Sequence, residues 1–113
     1  MILPNADRAF VEPAKVRDYL LSHEHPVGRS KAVAFEAVGY HRDRWEILQA
    51  DLVAIAKLGD AVRTELGLHG QKYEVAGILT GPATRELPIT TIWLVRRGED
   101  FPRLVTAYPR ERR

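Results

Sequence analysis

The chain contains no cysteine among its 113 residues. This absence excludes disulfide bonds, thiol nucleophiles and thiolate zinc sites. Long apolar runs are also missing, because none approaches the roughly 20 residues that cross a bilayer. The N-terminal segment MILPNADRAF lacks the basic stretch and the long apolar stretch of a secretory signal. These absences predict a soluble, cytoplasmic protein that makes no contact with a membrane.

The chain also has little net charge. Lys and Arg together number 17 and Asp and Glu 15, which gives a net charge of +2. That value is too small to identify a nucleic-acid-binding protein by itself. Apolar residues make up 45% of the chain and charged residues 28%, as is typical of a globular protein. We therefore predict a single domain over residues 1–113, with a basic tail at about 109–113.

The first half of the chain predicts three helices. Apolar residues recur there at helical spacing, and proline or glycine stands near the expected ends. The expected helices run from Pro13 to Ser22, from the N-cap Ser30 to Gly39, and from about Asp43 to Leu58. Residues 23–28 form a loop, because the proline within them disfavours a helical residue before it.

The second half has the pattern of strands. β-Branched and aromatic residues fill four segments separated by turn residues: AVRTEL, QKYEVAGILT, ELPITTIWLV and RLVTAYP. The short connections predict an antiparallel meander. Three N-terminal helices packed on a four-stranded antiparallel meander sheet make an α+β fold, in which the helices cover one sheet face.

Alternation along a strand assigns its side chains to two faces. The face expected under the helices carries Tyr73, Val75, Leu79, Ile92, Leu94, Val105 and Ala107. The face expected to be open carries Lys72, Glu74, Thr91, Trp93, Thr106 and Tyr108. Open faces of antiparallel sheets are often simply solvated. This one is also polar and aromatic enough to be a groove for RNA or for another partner.

The segment SHEHPVGRSKAVAFE, residues 22–36, concentrates chemically capable side chains. His23 and His25 flank a glutamate, and histidine can act as a base or an acid near neutrality. Arg29 and Lys31 stand where the second helix begins, and the free backbone N–H groups of such a helix start favour phosphate. An ordinary loop with a solvated Lys31 is the alternative. A metal site is a weaker interpretation, because the two histidines and the glutamate have no further ligand at a zinc-binding spacing.

Four stretches of the chain resemble an uncharacterised bacterial domain family: LPNADRA, YLLSHEHPVGRSKAVAFEAVGY, HGQKYEVAGILTGPATRELPITTIWLV and PRLVTAYP. The resemblance covers Leu3 to Pro109. Members of that family occur as small stand-alone proteins and as C-terminal modules of polymorphic or contact-dependent toxins. The order of helices and strands is similar to that of the nuclease group that includes barnase, EndoU, colicin-type tRNases and RelE-like toxins.

The resemblance implies a toxin-like endoribonuclease that cleaves RNA or tRNA without a metal or other cofactor. Toxin modules of that nuclease group often place a His and a Lys in the helical half and a Thr or Arg near the last strand. His25, Lys31, Arg103 and Thr106 fit this pattern, and His23 is the second candidate histidine. The expected catalytic residues are His25, His23, Lys31 and Thr106, and the expected substrate-binding residues are Arg29, Lys72, Trp93, Arg103 and Tyr108.

A different class of function stays open at this point. The domain could be a non-catalytic, partner-binding module of a toxin–antitoxin or immunity-type pair, covered by a small antitoxin or immunity protein. The two possibilities differ in geometry. Convergence of His25 and Lys31 on Thr106 and Tyr108 favours an enzyme, and wide separation of these residues favours binding alone.

Overall fold

The computed structural model describes residues 1–110, so the predicted basic tail lies largely outside the described residues. Helix α1, Pro13–Lys15, continues directly into a wider π-helical turn, Val16–Leu20. Helices α2 and α3 span Gly28–Ala37 and Trp45–Leu58. The strands are β1, Ala61–Gly67; β2, Gly70–Thr80; β3, Glu86–Arg96; and β4, Pro102–Pro109. No helix within this part of the chain is long and apolar enough to span a membrane.

The four strands form one sheet in the order β1-β2-β3-β4, with each neighbouring pair antiparallel. The helices precede the strands, and their buried apolar side chains meet those of the sheet in one core that includes Leu20, Phe35, Leu52 and Val75. The predicted α+β meander is therefore confirmed. Strong turn residues between four β-branched segments explain why the sequence indicated it correctly.

The predicted faces of β3 were wrong. Trp93 is fully buried, and it pairs across the sheet with the buried Tyr73, so it belongs to the core and not to the open face. Thr91 is also buried. Its hydroxyl accepts a hydrogen bond from the Trp93 indole Nε1 and donates one to the Val75 carbonyl, both at 2.7 Å. These bonds satisfy the polar atoms that burial takes from water. Ile92, predicted under the helices, is only half-buried.

Strand β4 contains a bulge that redirects Thr106. Ile92 pairs with Thr106 while Trp93 pairs with Leu104, which leaves Val105 as an extra residue in β4. Bulges kink a strand and re-aim its side chains. Thr106 was expected on the open face, but its hydroxyl contacts side chains of the helical layer. The regular alternation used for the prediction fails at this point.

The outer edge of β4 is partly covered by the N-terminal segment. The Phe10 amide donates to the Pro102 carbonyl at 2.9 Å, and the Leu104 amide donates to the Phe10 carbonyl at 3.0 Å. These bonds protect one end of an edge strand that would otherwise expose unpaired backbone groups. Beyond them, β4 faces α1 and the loop before α2, and the candidate site lies there.

Candidate functional site

Three elements bring Tyr19, Lys31 and Thr106 into one hydrogen-bonded cluster. The Lys31 Nζ lies 2.5 Å from the Tyr19 hydroxyl and 2.8 Å from the Thr106 Oγ1. The Tyr19 hydroxyl and the Thr106 Oγ1 are 2.9 Å apart. Tyr19 comes from the π-helical turn, a feature that is frequent at functional sites, Lys31 from α2, and Thr106 from the bulged part of β4. We call these three residues the cluster.

The cluster has the electrostatics of an activated hydroxyl. Burial raises the pKa of the Tyr19 hydroxyl, but hydrogen bonds from Lys31 and Thr106 and the charges of Lys31 and Lys15 outweigh that effect, so the pKa lies below its ordinary value. The Lys31 ammonium is also 4.8 Å from the centroid of the Tyr19 ring, and the Lys15 ammonium is 5.7 Å away. Two cations beside one phenol stabilise its ionised form.

His25 lies against the cluster and caps α2. Its ring meets the Tyr19 ring edge-on, with the centroids 4.8 Å apart. Its Nδ1 accepts from the backbone amides of Val27 and Gly28, both at 3.1 Å. An imidazole nitrogen that accepts carries no proton, so the neutral ring holds its proton on Nε2. The N-cap residue is Val27, and the His25 side chain, two residues before it, satisfies amides that a Ser, Thr, Asp or Asn side chain at the N-cap often satisfies.

This cap corrects the prediction for the start of α2. The helix begins at Gly28, so Ser30 lies inside it and is not its N-cap. Of the backbone amides expected to hold phosphate, that of Gly28 donates to His25 Nδ1 and that of Arg29 donates to the His25 carbonyl, so these two are already occupied. Gly28 also packs so tightly that an added Cβ would lie 1.8 Å from the Tyr19 carbonyl oxygen.

The cluster opens onto a surface cleft of about 550 Å³, lined by Glu12, Ala14, Lys15, Asp18, Tyr19, His25, Val105 and Thr106. Lys31 is not part of this lining and lies behind Tyr19 and Thr106. A second cleft of about 220 Å³ continues along β4, lined by Phe10, Glu12, Lys15, Leu94, Arg96, Arg103, Leu104 and Val105. Lys15 lines both clefts, so it stands where they adjoin.

Of the expected catalytic residues, three come together and one does not. His25, Lys31 and Thr106 meet around Tyr19. His23 instead forms an ion pair with Glu36, with its Nε2 2.8 Å from the glutamate Oε1. Within residues 1–110, no group of three or more His, Asp or Glu side chains is placed to hold a metal ion.

The expected substrate-binding residues are dispersed. Lys72 lies 3.9 Å from Glu65 on the β1–β2 hairpin, and Trp93 is in the core. Arg29 is exposed at the start of α2, and Tyr108 is exposed near the end of β4, where it pairs with Thr90. These positions do not form one surface with the cluster.

Arg103 lines the second cleft, but its guanidinium is already bound. Its Nε and Nη2 donate to the two carboxylate oxygens of Glu99 at 2.8 and 2.9 Å. The rings of Phe10 and Phe101 lie on it, at 5.2 and 4.9 Å from its Cζ. A guanidinium held in this way is fixed in position, with its charge paired to that of a carboxylate.

Sequence reasoning missed Tyr19 and Lys15. Tyr19 stands on the apolar stripe of the first helix beside Val16 and Leu20, where a tyrosine is expected to be a core residue. Lys15 and Tyr19 are four residues apart on that helix, and this spacing was the available signal, because it places the two side chains on one face. Nothing in the sequence showed that this face meets Thr106.

Comparisons with known proteins place the chain in a family. A chain of the contact-dependent growth inhibition toxin–immunity protein complex from Klebsiella pneumoniae 342 has a similar fold, with a TM-score of 0.71 and 15% identity over 88% of this chain and 98% of that chain. At this identity the likeness shows the fold alone. No curated protein is significantly similar in sequence. The family described as Domain of unknown function (DUF6883) matches residues 2–111, and the chain therefore belongs to the DUF6883 family.

Proposed function

We propose that the chain is a toxin-like ribonuclease. It binds RNA, such as tRNA, in the cleft beside Tyr19 and cleaves it by a mechanism that uses no metal ion. One observation carries the proposal: side chains from α2 and β4 converge on the hydroxyl of Tyr19 next to His25. Lys31 is half-buried and has no carboxylate partner among residues 1–110. Its ammonium donates hydrogen bonds to two hydroxyl groups, so its positive charge is held in a fixed position without a carboxylate to neutralise it.

The cleft supplies the groups that metal-independent RNA cleavage needs. In that reaction the 2′-oxygen attacks phosphorus, the bond to the 5′-oxygen breaks, and a 2′,3′-cyclic phosphate and a 5′-hydroxyl remain. The step needs a proton acceptor, hydrogen-bond donors and positive charge near the phosphate. Tyr19, the Nε2–H of His25 and the ammonium of Lys15 provide these three functions along one cleft wall.

The second cleft extends the site along β4 in a way that suits an RNA strand. Lys15 and Arg96 place positive charge along its length, and phosphate contacts dominate nucleic-acid affinity. Phe10 is 40% exposed at the same place, and exposed aromatic rings stack on unpaired bases. We therefore propose single-stranded RNA or an RNA loop as the substrate.

Two similarities support the toxin part of the proposal. The Klebsiella chain with the similar fold belongs to a toxin–immunity protein complex, and the resemblance of this sequence is to modules of such toxins. A small neutralising protein is the proposed partner.

The proposal is tested by incubating the purified protein with bulk tRNA in a chelator. We expect cleavage that leaves 2′,3′-cyclic phosphate ends, and loss of that cleavage in Lys31→Ala. Lys57→Ala is the matched control, because Lys57 is exposed on α3 and lines neither cleft. If the folded wild-type protein cuts no RNA, the proposed ribonuclease activity is refuted.

A second candidate function is partner binding without catalysis, and strand β1 favours it. β1 is an edge strand, and Val62 and Leu66 on it are 58% and 70% exposed. Exposed edge strands can accept a strand from another protein. Under this alternative, Leu66→Glu abolishes co-purification with a neutralising protein that binds the wild type, and the wild type cuts no RNA.

A further inference from the structure

We infer that Tyr19, and not His25, accepts the proton of the RNA 2′-hydroxyl, and that Lys31 positions and activates Tyr19 from behind the cleft. The inference rests on the ribonuclease proposed above and assigns the roles within it. Histidine is the residue type that sequence reasoning selects first for this task, so the assignment differs from the expectation for His25.

The hydrogen bonds of His25 prevent it from acting as the base. Its Nδ1 lone pair accepts from two backbone amides, so its only other ring nitrogen carries the proton. A ring in this state has no free lone pair for a substrate proton. To gain one, His25 would have to move its proton to Nδ1 and abandon the cap of α2. The Nε2–H can still donate a hydrogen bond to a phosphate oxygen.

Tyr19 has the opposite arrangement. Tyr19 lines the cleft, and its oxygen receives a hydrogen bond from Lys31 at 2.5 Å, with the Thr106 hydroxyl 2.9 Å away. The Thr106 hydroxyl can reverse its direction, donating to an ionised Tyr19 or accepting from a neutral one. The cluster therefore stays hydrogen-bonded in both protonation states of Tyr19. The lowered pKa of Tyr19 agrees with this geometry.

The position of Lys31 defines its role. Its ammonium contacts Tyr19 and Thr106 but does not line the cleft, so it acts on the substrate through Tyr19. It is a positioning residue in this reaction. Lys15, which lines the cleft, is the cation placed to contact the phosphate directly.

The proposed step moves one proton and exchanges one bond to phosphorus for another. The 2′-hydroxyl proton moves to the ionised Tyr19 oxygen, the 2′-oxygen forms its bond to phosphorus, and the bond from phosphorus to the 5′-oxygen breaks. The leaving 5′-oxygen takes a proton from water, which reaches it through the open cleft. Tyr19 then returns its proton to solvent.

Two carboxylates in the cleft are the rival bases. Asp18 is bound by hydrogen bonds from Arg17 and Arg42, which lower its pKa to about 2 and make it a weak base. Glu12 has no ion-pair partner within residues 1–110. Lys15, Lys31 and His25 are the other charged or titratable groups that face Tyr19, while Glu12 and Asp18 line the cleft beside it.

The test compares the pH dependence of kcat/KM for tRNA cleavage in four variants. We expect Tyr19→Phe to lose about 100-fold or more, the scale of general-base catalysis. We expect Lys31→Met to move the rising limb of the profile to higher pH, because Tyr19 then ionises less readily. Tyr73→Phe is the control, since Tyr73 lies on β2 and lines neither cleft. A full loss in Glu12→Gln together with an active Tyr19→Phe overturns the assignment.

A second measurement needs no RNA. The chain has four tyrosines, and NMR of ¹³C-labelled tyrosine follows the ionisation of each. We expect one resonance to titrate below the ordinary range, to vanish in Tyr19→Phe and to titrate at higher pH in Lys31→Met. Ordinary titration of Tyr19 overturns the inference. A wild type that cuts no RNA refutes the proposed function, whereas a cutting wild type with a fully active Tyr19→Phe refutes only the assignment of the base.

Discussion

Replacing His25 by alanine is expected to destabilise the fold by about 2 kcal/mol. The two amide hydrogen bonds to Nδ1 are a helix cap, and loss of a cap costs about 1 kcal/mol. The edge-on contact of the imidazole with the Tyr19 ring adds about 1 kcal/mol, within the range measured for aromatic pairs. A ten-residue helix such as α2 is only marginally stable by itself. The rest of the helix therefore cannot compensate for the loss of the two capping hydrogen bonds.

His25→Asn separates the two contributions. An asparagine side-chain oxygen can accept from the same amides, whereas it cannot replace the ring contact. We therefore expect His25→Asn to recover about 1 kcal/mol relative to His25→Ala. Urea unfolding followed by tryptophan fluorescence measures both values, and thermal unfolding is expected to shift by about 4 °C per kcal/mol.

His69→Ala is the matched control, because His69 is exposed in the β1–β2 turn and its side chain makes no hydrogen bond within residues 1–110. The reasoning is refuted if His25→Ala unfolds at the same urea concentration as the wild type. It is also refuted if His25→Asn is no more stable than His25→Ala, because the amide hydrogen bonds would then contribute nothing.

Three other substitutions test the packing and charge around the site. Gly28→Ala is expected to cost about 3 kcal/mol in thermal unfolding, because its Cβ would meet the backbone oxygen of Tyr19 at 1.8 Å; wild-type stability would contradict this packing. Trp93→Ala is expected to cost about 3–5 kcal/mol in urea unfolding, and a small cost would argue against its burial in the core. Asp18→Asn is expected to be less stable than the wild type at pH 7. Hydrogen bonds from two arginines lower the pKa of Asp18 from 3.8 to about 2, so the stabilisation is present above the unfolded-state pKa and is lost as pH falls towards 2. A difference in stability that does not depend on pH would contradict this origin.

The fold was predictable because its signals are local. Each strand segment has a β-branched or aromatic composition and ends at Gly, Pro or Asp, and each helix has apolar residues at helical spacing. The phase of β3 was not predictable, since ITTIWLV offers an apolar stripe on either face. Burial of Thr91 and Trp93 depends on a hydrogen bond between them, and that bond exists only in the folded sheet.

The candidate site was predictable only in part. His25, Lys31 and Thr106 were selected through the resemblance and their residue types, and they do lie together. Tyr19 and Lys15 were missed because the surroundings of their side chains come from β4, where Thr106 lies 87 residues along the chain from Tyr19. Only the fold brings these residues together. The bulge at Val105 turns Thr106 towards them, and an irregular pairing of this kind leaves no clear pattern in the sequence.

The cleft beside Tyr19 and the exposed strand β1 lie at opposite edges of the sheet, so cleavage and the binding of a neutralising partner can be tested independently. β1 and β4 are the outer strands, separated by three strand spacings of about 4.8 Å each. A partner that adds a strand to β1 would leave the cleft beside β4 open unless it also wraps around the helices. We therefore expect Lys31→Ala to abolish cleavage and to keep partner binding at β1, and Leu66→Glu to do the reverse. If both substitutions abolish both activities in folded protein, the partner reaches the cleft itself, and the separation of the two edges does not hold.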